Sequence, residues 1–179
     1  MNFLEFMEGE GKIVDKKKGE HIFIQGTSDT SIYFIKSGLI KAYYTTEDGK
    51  EYVKSFLIAN DVIGSLSSAY TEGCCSFSLV CLEDSSLIKV PFSVIYERSK
   101  MDLNISNSLI ELLLKFSMKK EKREFELLCM SAEKRYRQLE KESPIIIEKV
   151  TQNDLARYLG VTPVGLSRIK NRVNSDIPS

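Results

Sequence analysis

The stretch "TQNDLARYLGVTPVGLSRIKNRV" (Thr151–Val173) decides how the last part of this chain folds. A helix-turn-helix unit needs apolar residues where its two helices meet, a small residue where they cross closely, and a glycine that tolerates positive φ in the turn. The stretch supplies all of them, as Leu155, Ala156, Leu159, Gly160, Val161, Leu166 and Ile169. We therefore predict two short helices on either side of Gly160.

Polar residues at both predicted helix starts agree with this interpretation. Thr151 precedes the first helix and Asp154 follows three residues later, which forms a shortened capping box. Thr162 precedes Pro163, and a capping residue followed by proline is a preferred helix start. The alternative is a helical hairpin that serves only for packing.

The second predicted helix carries the residues that suit contact with DNA. In a helix-turn-helix unit this helix enters the major groove, and its exposed N-terminal half meets base edges. Between Arg157 and Val173 the chain holds four basic residues and no acidic one. Candidates for base contacts are Val164, Ser167, Arg168 and Asn171. Candidates for phosphate contacts are Thr151, Gln152, Thr162, Lys170 and Arg172. Each of them could instead be an ordinary solvated surface residue.

The first hundred residues have the composition of short strands. "EHIFIQG" (20–26), "SIYFIKSGLIKAYYTTEDGKEYVKSFLI" (31–58) and "FSLVCLEDSSLIKV" (77–90) are rich in β-branched and aromatic residues. The pair Asp48-Gly49 between two such runs is a strong hairpin signal. Strands at this spacing predict an antiparallel sandwich or barrel.

A long helix is predicted over residues 103–130, because "LNISNSLIELLLKFSMKKEKREFELLCM" contains neither Gly nor Pro. Spacings of four, three and four residues mark a heptad seam, which consists of Ile105, Leu109, Leu112 and Phe116. Further apolar residues beside it are Ile110, Leu113 and Leu114. We expect one side of the helix to pack on the sheet and the other on a second copy. The alternative is a helix buried only within its own chain.

A second helix is predicted from Ser131, a suitable N-cap, to Pro144, which ends it. The following "IIIEKV" (145–150) is expected to lie extended against the terminal helices.

Composition excludes several classes of protein. The chain is 42% hydrophobic and 28% charged, with a formal net charge of zero, as in ordinary globular proteins. The start of the sequence lacks the features of a signal peptide, and no stretch is long and apolar enough to span a membrane. We expect a cytoplasmic protein whose four cysteines are reduced. Because His21 is the single histidine and no phosphate-binding loop occurs, we predict no catalytic residue, metal site, cofactor or enzyme activity.

The order of these segments resembles the CRP/FNR family of bacterial transcription regulators over essentially the whole chain. The resemblance is carried by "GEHIFIQG" (19–26), "SIYFIKSGLIKAYY" (31–44), "DG" (48–49), "NDVIGSL" (60–66), "SAEKRYRQL" (131–139) and "TQNDLARYLGVTPVGLSRIKNR" (151–172). It implies an α+β fold with an antiparallel, jelly-roll-like double-stranded β-roll over 1–103 that binds an effector. It also implies a dimerisation helix over 104–130 and a helix-turn-helix domain over 131–179. The implied partners are a second copy, a near-palindromic DNA operator and, as a further candidate, RNA polymerase.

The implied effector pocket departs from that of the members that bind cyclic AMP. Those members use a Glu for the ribose and an Arg-Ser pair for the cyclic phosphate, whereas this chain has Ser65 and Cys75-Ser76 there. Without the arginine, the phosphate loses a charge-assisted contact. We therefore expect an effector other than cyclic AMP, or none, at a pocket formed by Gly64, Ser65, Leu66, Cys75 and Ser76.

Cysteine placement bears on two other modes of sensing. The iron–sulfur members carry an N-terminal cysteine cluster, and here no cysteine precedes Cys74, so we do not expect cluster-based sensing. A thiol switch at Cys74 or Cys75 stays open.

A second departure concerns the wing that follows the recognition helix in most members. Only "NSDIPS" follows Val173, which is too short for a two-stranded wing. We expect a DNA-binding domain without a full wing. Such a domain should make fewer phosphate contacts and show a shallower salt dependence of DNA binding. The alternative function is a dimeric β-roll module whose terminal helices dock a protein and no longer bind specific DNA.

Overall fold

The computed structural model describes residues 3–175, and short antiparallel strands build its N-terminal half. The strands are β1 (Lys12–Lys16), β2 (His21–Phe23), β3 (Ser31–Ser37), β4 (Ile40–Thr45), β5 (Glu51–Leu57), β6 (Val62–Ile63), β7 (Ser78–Cys81) and β8 (Ser85–Pro91). They form two four-stranded sheets with the orders β1-β8-β3-β6 and β2-β7-β4-β5. The turn at Asp48-Gly49 joins β4 to β5 as an antiparallel pair, as predicted. The predicted antiparallel β-roll is confirmed.

Helices precede, interrupt and follow the β-roll. They are α1 (Phe3–Glu10), α2 (Leu66–Thr71), α3 (Phe92–Ser99), α4 (Leu103–Cys129), α5 (Ala132–Glu142), α6 (Pro144–Lys149), α7 (Gln152–Leu159) and α8 (Pro163–Ser175). Ser131 caps α5, since its hydroxyl accepts a hydrogen bond from the Lys134 N–H. The predicted α+β class is therefore confirmed. The predicted absence of a full wing concerns residues up to 179 and lies partly outside the described residues.

The prediction of an extended segment over residues 145–150 is wrong, because α6 occupies most of it. Pro144 ends α5 as expected, but it also stands in the first turn of α6. Proline suits that position because its φ is already helical. Its lack of an N–H costs nothing there, since the first N–H groups of a helix have no acceptor within the helix. Ile146 then turns inward and is buried with the terminal helices.

The residues of the β-roll alternate between an inner core and an outer one. The inner core lies between the sheets and contains Phe23, Tyr33, Ile35, Ile40, Ala42, Leu57, Ile63, Phe77, Leu79 and Leu87. The outer core covers one face of the β1-β8-β3-β6 sheet with α1, α3 and the start of α4, and contains Phe6, Met7, Ile32, Ile88, Val90, Phe92, Ile95, Ile105 and Leu109. The long helix is thus fixed on the β-roll of its own chain.

The residues predicted to form a seam with a second copy lie mostly on this internal face of α4. Ile105, Leu109 and Leu112 are buried within the chain, and Phe116 is half-buried. The opposite face carries a stripe of exposed apolar side chains, which are Leu103, Ile110, Leu114, Met118, Phe125 and Leu128. We call this set the α4 stripe. A helix with two apolar faces satisfies a heptad pattern on either of them, and the residues of the heptad pattern are those that pack within the chain.

A third core joins the terminal helices to the β-roll. It contains Tyr136, Ile146, Val150, Leu155, Ala156, Leu159, Leu166, Ile169 and Val173 from α5–α8 and their connections. Leu39 of the β3–β4 turn is buried in the same core, with Phe56 and Leu82 packed at its edge. The helices α5–α8 therefore form a head that is seated on the β2-β7-β4-β5 sheet. Within residues 3–175, no helix combines the length and the apolar character needed to cross a membrane.

Candidate nucleic-acid interface

The helices α7 and α8 form the predicted helix-turn-helix unit. Gly160 ends α7 with φ 69° and ψ 34°, a left-handed conformation that costs glycine little and other residues more. The predicted internal residues Leu155, Ala156, Leu159, Leu166 and Ile169 are buried. Val161 is half-buried against the same core. The geometry of this segment confirms the pattern from which it was predicted.

Both predicted helix starts have the expected caps. The Thr151 hydroxyl accepts a hydrogen bond from the Asp154 N–H at 3.1 Å and donates one to the Asp154 carboxylate at 3.0 Å. The Thr162 hydroxyl accepts a hydrogen bond from the Gly165 N–H at 3.1 Å. The backbone N–H groups at the starts of α7 and α8 are thus partly satisfied.

One face of α8 is buried and the other carries the predicted base contacts. Val164 is 62% exposed, and Ser167, Arg168 and Asn171 are also exposed. Among the described residues, no acidic side chain forms an ion pair with Arg168 or with the half-buried Lys170. Val164, Ser167, Arg168 and Asn171 are spaced three, four and seven residues apart on α8, so their side chains lie on one face of the helix.

Two of the predicted contacts are already engaged within the chain. The Ser167 hydroxyl donates a hydrogen bond to the Pro163 carbonyl at 3.1 Å. The Arg172 guanidinium donates one to Glu133 of α5 at 2.8 Å. Arg172, and then Arg137, hold the pKa of the Glu133 carboxyl below its usual range. Arg172 would have to exchange this carboxylate for a phosphate in order to bind DNA.

The remaining predicted phosphate contacts lie around the starts of the two helices. Thr151 and Gln152 are exposed at the start of α7, and Thr162 is exposed at the start of α8. Thr151 and Thr162 also act as caps, so their hydroxyls have a structural task besides any contact with DNA.

Two arginines that the sequence analysis did not single out anchor the head to α4. Arg135 donates hydrogen bonds to the carbonyls of Glu126 and Leu159, at the ends of α4 and α7. Arg123 donates to the Tyr158 carbonyl and places its guanidinium 3.9 Å from the Tyr158 ring centroid. A cluster of basic residues in sequence resembles a solvated stretch, so no sequence signal distinguished these two.

A second joint connects the head to the β-roll. Lys41 of β4 contacts Asp154 of α7 at 2.9 Å, and Glu51 of β5 contacts Arg157 of α7 at 2.6 Å. Lys41 and Asp154 are more than 100 residues apart in sequence, so local patterns carry no information about this contact.

The residues of the predicted effector pocket lie together. The Ser65 hydroxyl accepts a hydrogen bond from the Ser76 N–H at 3.2 Å, and Cys75 is buried. Gly64 lies so close to β3 that an added Cβ would stand 2.5 Å from the Ile32 side chain. Leu66 opens α2 beside them and is half-buried. The groups gathered here are backbone, hydroxyl and thiol, and these five residues supply no cation for a phosphate.

A lysine near this region was missed by the sequence analysis. Lys54 of β5 is half-buried, and its ammonium lies 4.9 Å from the ring centroid of Phe77. Burial, and then the positive charges of Lys120 and Lys119 on α4, lower the pKa of Lys54. The signal that could have revealed it is a lysine among the apolar residues of a predicted strand.

Proteins of known family share the sequence features of this chain. The family model described as "Cyclic nucleotide-binding domain" matches residues 13–99. Electron transport regulator A of Shewanella oneidensis is 29% identical over 175 residues, which cover 89% of this chain and 69% of that protein. The fumarate and nitrate reduction regulatory protein of Escherichia coli K12 is 27% identical over 177 residues, with the same two coverages. The chain is similar to regulators of the CRP/FNR family.

The fold of this chain also matches a solved structure. FixK2 from Bradyrhizobium japonicum superimposes with a TM-score of 0.79 at 17% identity, covering 92% of this chain and 85% of that one. The two relatives named above are regulatory proteins. The prediction that the chain is a regulator and not an enzyme is confirmed on the grounds of its relatives.

Proposed function

We propose that this chain is a homodimeric, DNA-binding transcription regulator of the CRP/FNR type that reads a near-palindromic operator with α8. The observation that carries the proposal is the exposed face of α8, where Arg168 has no acidic partner among the described residues. Arg168 suits a guanine and Asn171 suits an adenine, while Val164 suits a thymine methyl group. Lys170, Arg172 and the residues at the starts of α7 and α8 are proposed as phosphate contacts.

The α4 stripe supports the homodimer. Its members recur at intervals of three, four and seven residues, so they lie along one side of the helix. An exposed apolar stripe of this length along one long helix is the kind of surface that a second helix covers in a coiled coil. In the proposed division, residues 1–103 form the effector β-roll, 104–130 the dimerisation helix and 131–179 the DNA-binding domain.

The effector is proposed to be a molecule other than cyclic AMP, or to be absent. Ser65 stands where the ribose would need a carboxylate, and Cys75 stands where the cyclic phosphate would need a guanidinium. Both side chains are buried, and neither is a charged residue type. A ligand that binds only the folded state raises the midpoint of thermal unfolding. We expect no such rise when cyclic AMP is added at millimolar concentration; a saturable rise would contradict this part of the proposal.

A cytoplasmic location follows from a proposed role at chromosomal DNA, and contact with RNA polymerase at a promoter belongs to the same proposal. The alternative is a module that docks a protein partner. The ion pair between Arg172 and Glu133 favours that alternative, because it reduces the positive charge available to DNA.

Selection of duplexes from a random-sequence library by the purified protein tests the proposal. We expect enrichment of a sequence with two related half-sites about one DNA turn apart. Its binding should weaken as salt is raised, since Lys and Arg contacts to phosphates release counterions. Failure to enrich any sequence, together with one stoichiometric protein partner whose affinity does not depend on salt, would favour the docking module.

A further inference from the structure

Four charged side chains alternate in sign where the head meets the β-roll. The ammonium of Lys41 lies 2.9 Å from Asp154 and 3.4 Å from Glu51. The guanidinium of Arg157 lies 2.6 Å from Glu51 and 4.0 Å from Asp154. Two residues come from the strands β4 and β5 and two from the first helix of the helix-turn-helix unit, so the network joins the two parts of the chain.

The centre of this network is buried. Lys41 is 8% exposed and Asp154 is 7% exposed. Lys41 lies on β4 in the β2-β7-β4-β5 sheet, and its ammonium lies 4.8 Å from the ring centroid of Tyr43 on the same strand. Lysine and aspartate are rarely buried unless they are paired. The pairing of these two therefore belongs to the folded arrangement of head and β-roll.

Apolar contacts surround the buried pair. Phe56 of β5 and Tyr158 of α7 lie with ring centroids 5.4 Å apart, and Leu39 is buried among the residues of the head. Apolar attraction is not directional, so these contacts hold the head on the β-roll without selecting one orientation. A buried ion pair tolerates few geometries and adds little net stability compared with apolar residues of similar size.

We infer that Lys41 and Asp154 are positioning residues for DNA recognition, which fix the orientation of α7, and through it α8, on the β-roll of the same chain. The inference rests on the proposed function. In a homodimer whose α4 helices pair, the orientation of each head determines the separation of the two α8 helices. The buried pair therefore sets the half-site spacing that the dimer accepts, while Arg168 and its neighbours read the bases.

The first test does not require DNA. Residual dipolar couplings of the nitrogen-15-labelled protein report whether the β-roll and the head share one alignment tensor. We expect one tensor for the wild type and different tensors for the two parts in Lys41→Met and in the double variant Lys41→Met/Asp154→Leu. The double variant removes both charges and leaves no buried charge unpaired, so it should fold even where the single variant does not.

The matched control is Lys149→Met. Lys149 of α6 pairs with Glu83 of the β7–β8 connection at 2.9 Å, so it also joins head and β-roll, but both side chains are about two-fifths exposed. The β-roll and the head of this variant should still share one alignment tensor. The inference is overturned if the wild type already needs two tensors, if the folded double variant keeps one, or if the double variant does not fold.

The second test uses the operator selected by the wild type, with its half-sites moved apart by two base pairs. Each added base pair shifts the second half-site by about 3.4 Å along the helix axis and rotates it around that axis, so a rigidly held pair of heads cannot follow. We expect the wild type and Lys149→Met to lose affinity by about tenfold or more, which corresponds to about 1.4 kcal/mol. The double variant should lose much less, while its affinity for an isolated half-site stays that of the wild type.

A parallel loss of affinity for the half-site and for every spacing would assign the pair a general structural role and overturn the inference. If the wild type selects no sequence at all, the proposed function fails, and the dipolar couplings still decide whether the pair orients the head.

Discussion

The residue on which the proposed DNA binding should depend most is Arg168. It is exposed on α8, and no acidic side chain among the described residues competes for it, unlike Arg172, which binds Glu133. A guanidinium that donates two hydrogen bonds to guanine discriminates against other bases by about 1–3 kcal/mol. Because Arg172 is paired within the chain and Arg168 is not, we expect substitutions of the two arginines to affect DNA binding differently.

Arg168→Ala should weaken binding to the selected operator by about 5- to 150-fold, because it removes a base contact. Its binding to unrelated duplex DNA should change much less. Fluorescence anisotropy with both duplexes at fixed salt measures the two effects.

Arg172→Ala is the comparison for this prediction. It should weaken binding to both duplexes alike and flatten the salt dependence, as expected for a phosphate contact. Equal losses of operator discrimination in the two variants would mean that Arg168 does not read a base.

At the scale of elements, the turn between α7 and α8 depends on Gly160. Its φ of 69° lies in the left-handed region, where a side chain meets the neighbouring carbonyl. Caps at Thr151 and Thr162 begin the helices on either side, but they do not remove this strain.

Gly160→Ala should lower the free energy of unfolding by about 1–2 kcal/mol, because the left-handed conformation penalises a Cβ. Urea denaturation followed by circular dichroism measures the change. Gly9→Ala in α1 is the matched control, since an added Cβ there meets no atom within 4 Å and glycine is a poor helix former. Gly9→Ala should leave the protein as stable or more stable; a loss at Gly9 equal to that at Gly160 would contradict the strain argument.

At the scale of the whole molecule, the α4 stripe is the surface that a second copy would cover. Leu114 is 55% exposed near the middle of the stripe. A glutamate in its place would put two like charges opposite each other at the two-fold axis of the proposed dimer, where burial makes them costly.

Leu114→Glu should convert the dimer to a monomer and reduce operator affinity to that of one half-site. Sedimentation equilibrium gives the mass of each protein in solution. Ile13→Glu is the control, because Ile13 is 65% exposed and belongs to β1, not to α4. A wild type that sediments as a monomer, or a Leu114→Glu protein that stays dimeric, would refute the proposed dimer contact through the α4 stripe.

Local signals predicted the helix-turn-helix unit down to single residues. Its caps and its turn each depend on residues within four positions of one another, so the sequence contains all the partners. The hairpin at Asp48-Gly49 was predictable for the same reason. The α6 helix was missed because three consecutive isoleucines suit a strand, and the proline before them was interpreted only as the end of α5.

The sequence by itself determined the strand-rich character of the first hundred residues, the long helix α4, and where α7 and α8 begin. The tertiary structure alone decided which apolar face of α4 packs inward, and that Arg135 and the Lys41–Asp154 pair hold the head. The physical reason is distance along the chain. Backbone propensities and caps act within a few residues, whereas the packing of a two-faced helix and an ion pair between residues 41 and 154 depend on partners that only folding brings together.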